Sequence, residues 1–325
     1  MWAEVRFKVP LDYWAKLRLN RYLIMEVKEC PICNLKDAAF FSQRDKYIFL
    51  KCDNCNLVFM DPLPNAKELT DNFYSKESGY HAKAVKNLKE IKKYGKKFTK
   101  VIDGLTRFKV AGNLLDVGCA NGEFLFLAKK HGFDVQGVEA NAYTADIAMN
   151  NGLTVFNGTL QEARFEDHYF SVIYLGDIIE HVTDPVALIK ECKRILKKEG
   201  IFVVSTPNAD CFWVLATQYI CRWFVFPWSV LHPPYHLYLF SADNLRKLMN
   251  ILDFKVLKVE YDSPSLRHEL GVTGLLKKYK NEKSVKILLY AILVFSMYTI
   301  VYIISFLLKP FLKKDFEMIV FAENQ

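Results

Sequence analysis

Leu114-Leu-Asp-Val-Gly-Cys-Ala-Asn-Gly122 decides the fold. An apolar run of strand length enters a turn of small residues, and Glu123 to Lys130 follows with the pattern of a short helix. Gly118 and Gly122 let the backbone turn sharply and pass close to a ligand with no side chain in the way. Further apolar runs lie outward from this turn: Asp134 to Val138, Ser171 to Leu175, Ile201 to Ser205 and Phe254 to Tyr261, with Phe316 to Ala322 as the last strand. Strands spaced by helical stretches predict an α/β fold, a mostly parallel sheet with helices on both faces. Ligands of such sheets bind beyond the carboxyl ends of the strands.

Glu139 stands twenty-three residues after Asp116, where an acidic side chain accepts both hydroxyls of a ribose. The turn reads G-x-A-x-G followed by Glu123, which sits poorly with a pyrophosphate and better with an adenosine cofactor lacking phosphate. It resembles the S-adenosylmethionine loop of class I methyltransferases. The resemblance continues through Phe170-Ser-Val-Ile-Tyr-Leu-Gly-Asp-Ile-Ile-Glu-His-Val-Thr-Asp-Pro185, Glu199-Gly-Ile-Phe-Val-Val-Ser-Thr-Pro-Asn208 and His236-Leu-Tyr-Leu-Phe-Ser241, covering about residues 110 to 265. It implies a Rossmann-like class I methyltransferase sheet in which Gly118, Cys119 and Gly122 line the cofactor and Glu139 holds its ribose. Thr159 and Leu160 would border the adenine, and Gly176 and Asp177 would approach the methionine end. An acidic residue is common where Thr159 stands, which moves adenine recognition there to backbone groups.

The chain has 325 residues, 51% hydrophobic and 25% charged, enough for a real buried core, so disorder, collagen and small disulfide scaffolds are excluded. Of its eight cysteines, Cys30-Pro-Ile-Cys33 and Cys52-Asp-Asn-Cys55 have the spacing of two zinc knuckles, each able to aim two thiolates at one tetrahedral ion. A small N-terminal ribbon with a structural zinc is expected over residues 26–60, and ordinary apolar packing for Cys119, Cys192, Cys211 and Cys221. With no charged, apolar and small-residue succession of a signal peptide, the sequence reads as cytoplasmic and reducing. The ribbon followed by Tyr74 and Tyr80 resembles the zinc-bearing methyltransferases of sugar and surface-polysaccharide pathways. Residues 1–25 read as a peripheral segment with Met25 as a candidate start, 61–109 as a linking helical region, and 110–325 as the methyltransferase domain.

Methyl transfer needs alignment of the nucleophile and, for a hydroxyl or carbon acid, a base. His181, at the start of the helix after the fourth strand, and His236, after the fifth, are expected to face the cleft. The zinc-bearing sugar C-methyltransferases carry a Glu-His pair in a segment resembling Tyr235-His236, with that histidine as base; here tyrosine replaces the glutamate. Loop hydrogen bonding is the competing reading of His236. Asp177-x-x-Glu180-His181 also resembles the D/E-x-x-E-H cluster of quinone-biosynthesis O-methyltransferases, and oxygen-rich ligands suit magnesium. Helix capping and cofactor contact are the alternative for that trio.

Ile287 to Leu308 is twenty-two residues without a charge, long enough to cross a bilayer. It interrupts the domain at about residues 265–315, before the last strand, and one crossing would leave that strand on the wrong side. The stretch therefore dips in and returns, lies on a surface, or forms a subunit contact. Lysines at both ends, from Lys277 to Lys286 and from Lys309 to Lys314, suit an anionic surface. So do the apolar segment 211–231 and the nine lysines against two glutamates in residues 76–100, on a helix expected over 83–105. Taken singly, the lysine run reads as a solvated face and the tryptophans of 211–231 as core. The expected partner is thus a cytoplasmic membrane face, with a homodimer contact as alternative. A ribbon-guided RNA-binding or RNA-modifying role ranks lower, because the stretch between the knuckles is not rich in Arg or Lys, and a cofactor-binding protein without catalysis ranks below that, because the motif turns are intact.

Overall fold

A computed structural model describes residues 29–44, 46–64, 87–88, 95–224, 233–262, 284–312 and 314–325. Met25, Tyr74, Tyr80, His81, His232, His268 and most of the lysine run lie outside the described residues.

The chain opens with antiparallel strands β1 (Ala38–Arg44), β2 (Tyr47–Cys52) and β3 (Val58–Met60). Helix α1 (Lys96–Arg107) leads into an alternating series: β4 (Asn113–Val117), α2 (Glu123–Lys130), β5 (Asp134–Glu139), α3 (Ala142–Asn150), β6 (Thr154–Asn157), α4 (Leu160–Ala163), β7 (Phe170–Gly176), α5 (Pro185–Ile195) and β8 (Leu196–Pro207). Then come α6 (Phe212–Phe224), β9 (Tyr238–Leu239), α7 (Ala242–Ile251), β10 (Phe254–Asp262), α8 (Val285–Leu312) and β11 (Glu317–Asn324).

Seven strands form one sheet in the order β10-β11-β8-β7-β4-β5-β6, parallel except for β11, which runs antiparallel to both neighbours. Its central strands are buried on both faces, which explains their near-continuous apolar sequences. Alternate residues divide between two layers. Val172, Tyr174 and Val203 pack with Val101 and Leu105 of α1 and Phe124 of α2, whereas Ile173, Leu175 and Val204 pack with Ile189 of α5 and Leu245 of α7. Each such side chain removed from water contributes roughly 1.5–3 kcal/mol, so both helical layers are held by the sheet.

The expected strands are all present, and β6, for which no run was assigned, is added at the edge. The helix expected over 83–105 is described as α1, with Leu88 buried ahead of it. The ribbon is not a free-standing unit: β3 pairs with β9, Val58 opposite Leu239 and Phe59 opposite Tyr238, giving a second sheet β1-β2-β3-β9. At the other side, Asp262 of β10 stands opposite Glu317 of β11. The insertion therefore leaves and re-enters at one edge of the main sheet.

Candidate active site

The carboxyl ends of β4, β5, β7 and β8 meet at one edge. There the turn after β4 folds back on β5: Gly118 and Cys119 N–H donate to the Val138 carbonyl at 2.8 and 3.0 Å. Gly118 and Gly122 have φ of +76° and +80°. A Cβ on Gly118 would lie 2.2 Å from Ile178 Cδ1, so this turn admits only glycine without rearrangement. Cys119 buries its thiol against Gly137, and its backbone alone is left for the turn.

Glu139 is buried at the end of β5. Its two oxygens accept the Ala120 and Asn141 N–H groups at 2.8 and 2.7 Å. Burial raises its carboxyl above the usual range, and these two donors oppose the rise. Glu139 thus clamps the glycine turn through the Ala120 N–H. Thr159, beyond β6, is exposed and caps α4 in reciprocal bonds with Glu162, while Leu160 is buried. The Thr159 hydroxyl is occupied locally by this cap. These elements fit S-adenosylmethionine: a cradle of glycine backbone after β4 and a buried acid at the end of the neighbouring strand β5.

The solvated reading of the lysine run fails at Lys97. Its ammonium turns inward from α1, pairs with Asp177 just beyond β7, and lies 3.9 Å from Glu317. Burial would lower its pKa, but Asp177, Tyr174 and Glu317 together hold it above the ordinary lysine value. Asp177, at φ +54°, is fixed through its N–H to the Ser205 carbonyl. Lysine periodicity on an amphipathic helix carries no signal that separates an inward lysine from a solvated one.

His181 does not begin a helix. It lies in the turn before α5, which starts at Pro185 behind the N-cap Asp184. The Glu180 carbonyl accepts the Leu237 and Tyr238 N–H groups, and His181 Nδ1 donates to the Tyr235 carbonyl at 2.7 Å. These bonds bring the two candidate histidines together, ring centroids 4.9 Å apart. The acid missing from position 235 is supplied by Glu180, whose Oε1 is 3.9 Å from His181 Nε2. Glu180 is buried, which together with nearby Asp177 pushes its carboxyl up to about 8. The magnesium trio is corrected: Asp177 belongs to Lys97 and Ser205, and His236 joins Glu180 and His181 in its place. Two imidazoles and one carboxylate do not fit the oxygen shell that magnesium takes.

In the ribbon, Cys30, Cys33, Cys52 and Cys55 place their sulfurs within 4.8 Å of one another, a donor set that fits one tetrahedral zinc. Cys33 drops to about 7 although burial opposes it, because Asn54 and the Leu35 backbone hydrogen-bond to the thiolate.

The sequence description Methyltransferase domain matches residues 89–259. The chain belongs to this methyltransferase family, and its sheet is that of the class I S-adenosylmethionine-dependent enzymes. Among curated proteins it is similar to ubiquinone biosynthesis O-methyltransferases, with 30% identity over 138 residues to that of Cereibacter sphaeroides, covering 38% of this chain and 56% of the relative. The match to the Haemophilus ducreyi protein is 31% over 124 residues, 34% and 52% of the two chains. The chain thus spans about half the length of these relatives. Phosphoethanolamine N-methyltransferase 2 of Haemonchus contortus, solved with S-adenosyl-L-methionine, has a similar fold at 15% identity and a TM-score of 0.50, over 82% of this chain and 61% of that one.

Proposed function

We propose that the protein is an S-adenosylmethionine-dependent methyltransferase that acts on a sugar, lipid-linked glycan or lipid at a cytoplasmic membrane face. The observation that carries this reading is the position of α8 beside the cleft. Asn208, just after β8, donates to the Phe316 and Asp315 carbonyls, and Lys314 pairs with Asp210 at 2.5 Å. The end of α8 is thereby tied to the edge where the site lies. Leu288–Leu308 has a mean hydropathy of 2.3 with 12% of it buried, and Leu289, Ile292, Leu293, Phe295, Ile303 and Phe306 are exposed.

A one-way crossing does not fit the strand register. Both ends of the insertion emerge beside Asp262 and Glu317, and residues 263–284 carry Arg267, Glu269, Lys277, Lys278, Lys280, Glu282 and Lys283, too many charges for a second crossing. At about 1.5 Å per residue α8 is roughly 42 Å long, and it lies along an anionic interface with its lysine-flanked ends at the headgroups. One face packs on α6 through Trp213, Tyr298 and Tyr302, leaving the other for lipid.

Within the cleft, Gly118, Gly122 and Glu139 hold the cofactor, Gly176 and Asp177 face its methionine end, and His181 and His236 manage the acceptor's proton. The cofactor supplies an electrophilic methyl on sulfur. The four cysteines hold a structural zinc whose ribbon positions β9 and, through it, His236. A second reading is a quinone-like O-methyltransferase, favoured by the identity to the ubiquinone biosynthesis enzymes.

The test compares the intact protein with one lacking residues 284–312. Flotation with anionic vesicles, mass spectrometry of co-purified lipid, and transfer of labelled methyl to that extract are measured. Flotation of the intact form alone, with a methylated glycolipid, supports the proposal; a methylated quinone supports the second reading. Two soluble forms with a dimeric intact protein overturn the membrane reading and make α8 a subunit contact.

A further inference from the structure

We propose that Tyr174 and Ser205 are positioning residues that act through Asp177 on the methionine end of the cofactor. The inference rests on reading Gly176 and Asp177 as the part of the cleft that meets that end. Asp177 is fixed at three points. Its N–H donates to the Ser205 carbonyl at 2.9 Å, its Oδ1 accepts the Ser205 hydroxyl at 3.3 Å, and its Oδ2 accepts the Lys97 ammonium. These bonds hold the backbone at φ +54°, a left-handed conformation that an aspartate keeps where its surroundings impose it.

Because the Ser205 hydroxyl gives its proton to Asp177, it accepts from Tyr174 Oη, 3.1 Å away. Both residues are buried, and burial raises the Tyr174 phenol above its ordinary range, which keeps the donor proton on it. The chain of bonds therefore runs one way, from tyrosine to serine to carboxylate, in a dry interior where such bonds are strong. Gly176 makes the room that lets Tyr174 reach this edge: a Cβ there would lie 2.5 Å from Tyr174 Oη and 2.6 Å from its Cζ. The tyrosine ring is also braced by Phe124 of α2, just past the glycine turn, with centroids 4.3 Å apart. A carboxylate offers about four acceptor positions, and Ser205 and Lys97 take only part of them. The Asp177 side chain is 38% exposed, so the rest are open to a ligand. An acceptor held this firmly suits the ammonium group of the cofactor's methionine, through a charge-assisted hydrogen bond.

Calorimetry with two ligands tests this on the full chain without relying on turnover. S-adenosylhomocysteine carries the amino-acid end, and 5′-methylthioadenosine lacks it. Ser205→Ala, Tyr174→Phe and Asp177→Asn are each expected to weaken S-adenosylhomocysteine, Ser205→Ala by roughly tenfold, and to bind 5′-methylthioadenosine as wild type does. In the Asp177→Asn background, Ser205→Ala is expected to add less than roughly twofold, since its effect passes through the lost carboxylate. Equal weakening of both ligands marks a general disturbance of the sheet and overturns the proposal, as does unchanged binding of both. A Ser205→Ala effect of full size in the Asp177→Asn background also overturns it, because the serine then acts by another route. Wild-type protein that binds neither ligand removes the cofactor reading itself, and the proposal with it.

Discussion

Alanine in place of Gly118 tests the contact between the two turns that build the cofactor site. Gly118 has φ +76°, and a Cβ added there falls 2.2 Å from Ile178 Cδ1 and 2.7 Å from its Cγ1. Two costs combine. Left-handed backbone costs an L-residue about 1–2 kcal/mol, and forcing a methyl into filled space costs about 1–3 kcal/mol, so Gly118→Ala is expected to lower the unfolding free energy by about 2–5 kcal/mol. Only the second component depends on Ile178. In a double-mutant cycle with Ile178→Ala the two changes are expected to couple by about 1–3 kcal/mol in the relieving direction, with the backbone component persisting. Urea denaturation followed by circular dichroism gives the four free energies. Ile178 directly follows Asp177, which we propose faces the methionine end of the cofactor, so calorimetry should find cofactor binding weaker by roughly tenfold or more, about 1.4 kcal/mol. A coupling below about 0.5 kcal/mol refutes the steric argument, and a Gly118→Ala protein as stable as wild type refutes both components.

Asp116 is buried, and burial with Glu139 nearby raises its carboxyl well above the usual range, Lys97 opposing. Its contribution to stability is therefore full below about pH 4 and is lost as pH rises toward the folded value, so Asp116→Asn should gain on wild type between pH 5 and 8 in urea midpoints. Lys97→Met leaves Asp177 and Glu317 without their cation; a loss of about 1–3 kcal/mol near pH 7 that shrinks on acidification is expected in thermal melts. Cys52→Ser should lower the zinc content and, through the β3–β9 pairing, reduce methyl transfer while calorimetric cofactor affinity stays within a few fold; unchanged transfer would separate the ribbon from the site.

The sheet was legible because its signals are local. Small residues between an apolar run and a helix need no partner to be recognised, and buried parallel strands such as Ile201 to Ser205 announce themselves by composition. β9 spans two residues and takes its pairing from β3, so no periodicity marks it. The cleft was half legible. His181 and His236 were expected there separately, since each follows a strand end, but the bond from His181 to the Tyr235 backbone carbonyl depends on no side chain and leaves no trace in sequence. For the same reason nothing at Tyr235 marks the acid that lies beside the histidines, Glu180. Asp177 matched the spacing of a ligand trio, yet its left-handed backbone and the pull of Lys97 aim it elsewhere. Lys97 itself was hidden among neighbours of the same charge.

The placement of β11 between β10 and β8 has a further consequence for how the chain is made. Until Glu317–Asn324 leaves the ribosome, β8 and β10 face an open slot with unsatisfied backbone edges. By then α8, which precedes it, has already emerged in full. The helix therefore meets its surroundings while the sheet is incomplete, and long-range strand insertion of this kind is slow and exposed to misassembly. Between the emergence of α8 and the insertion of β11, the exposed apolar side chains of α8 and both strand edges are bare at the same time.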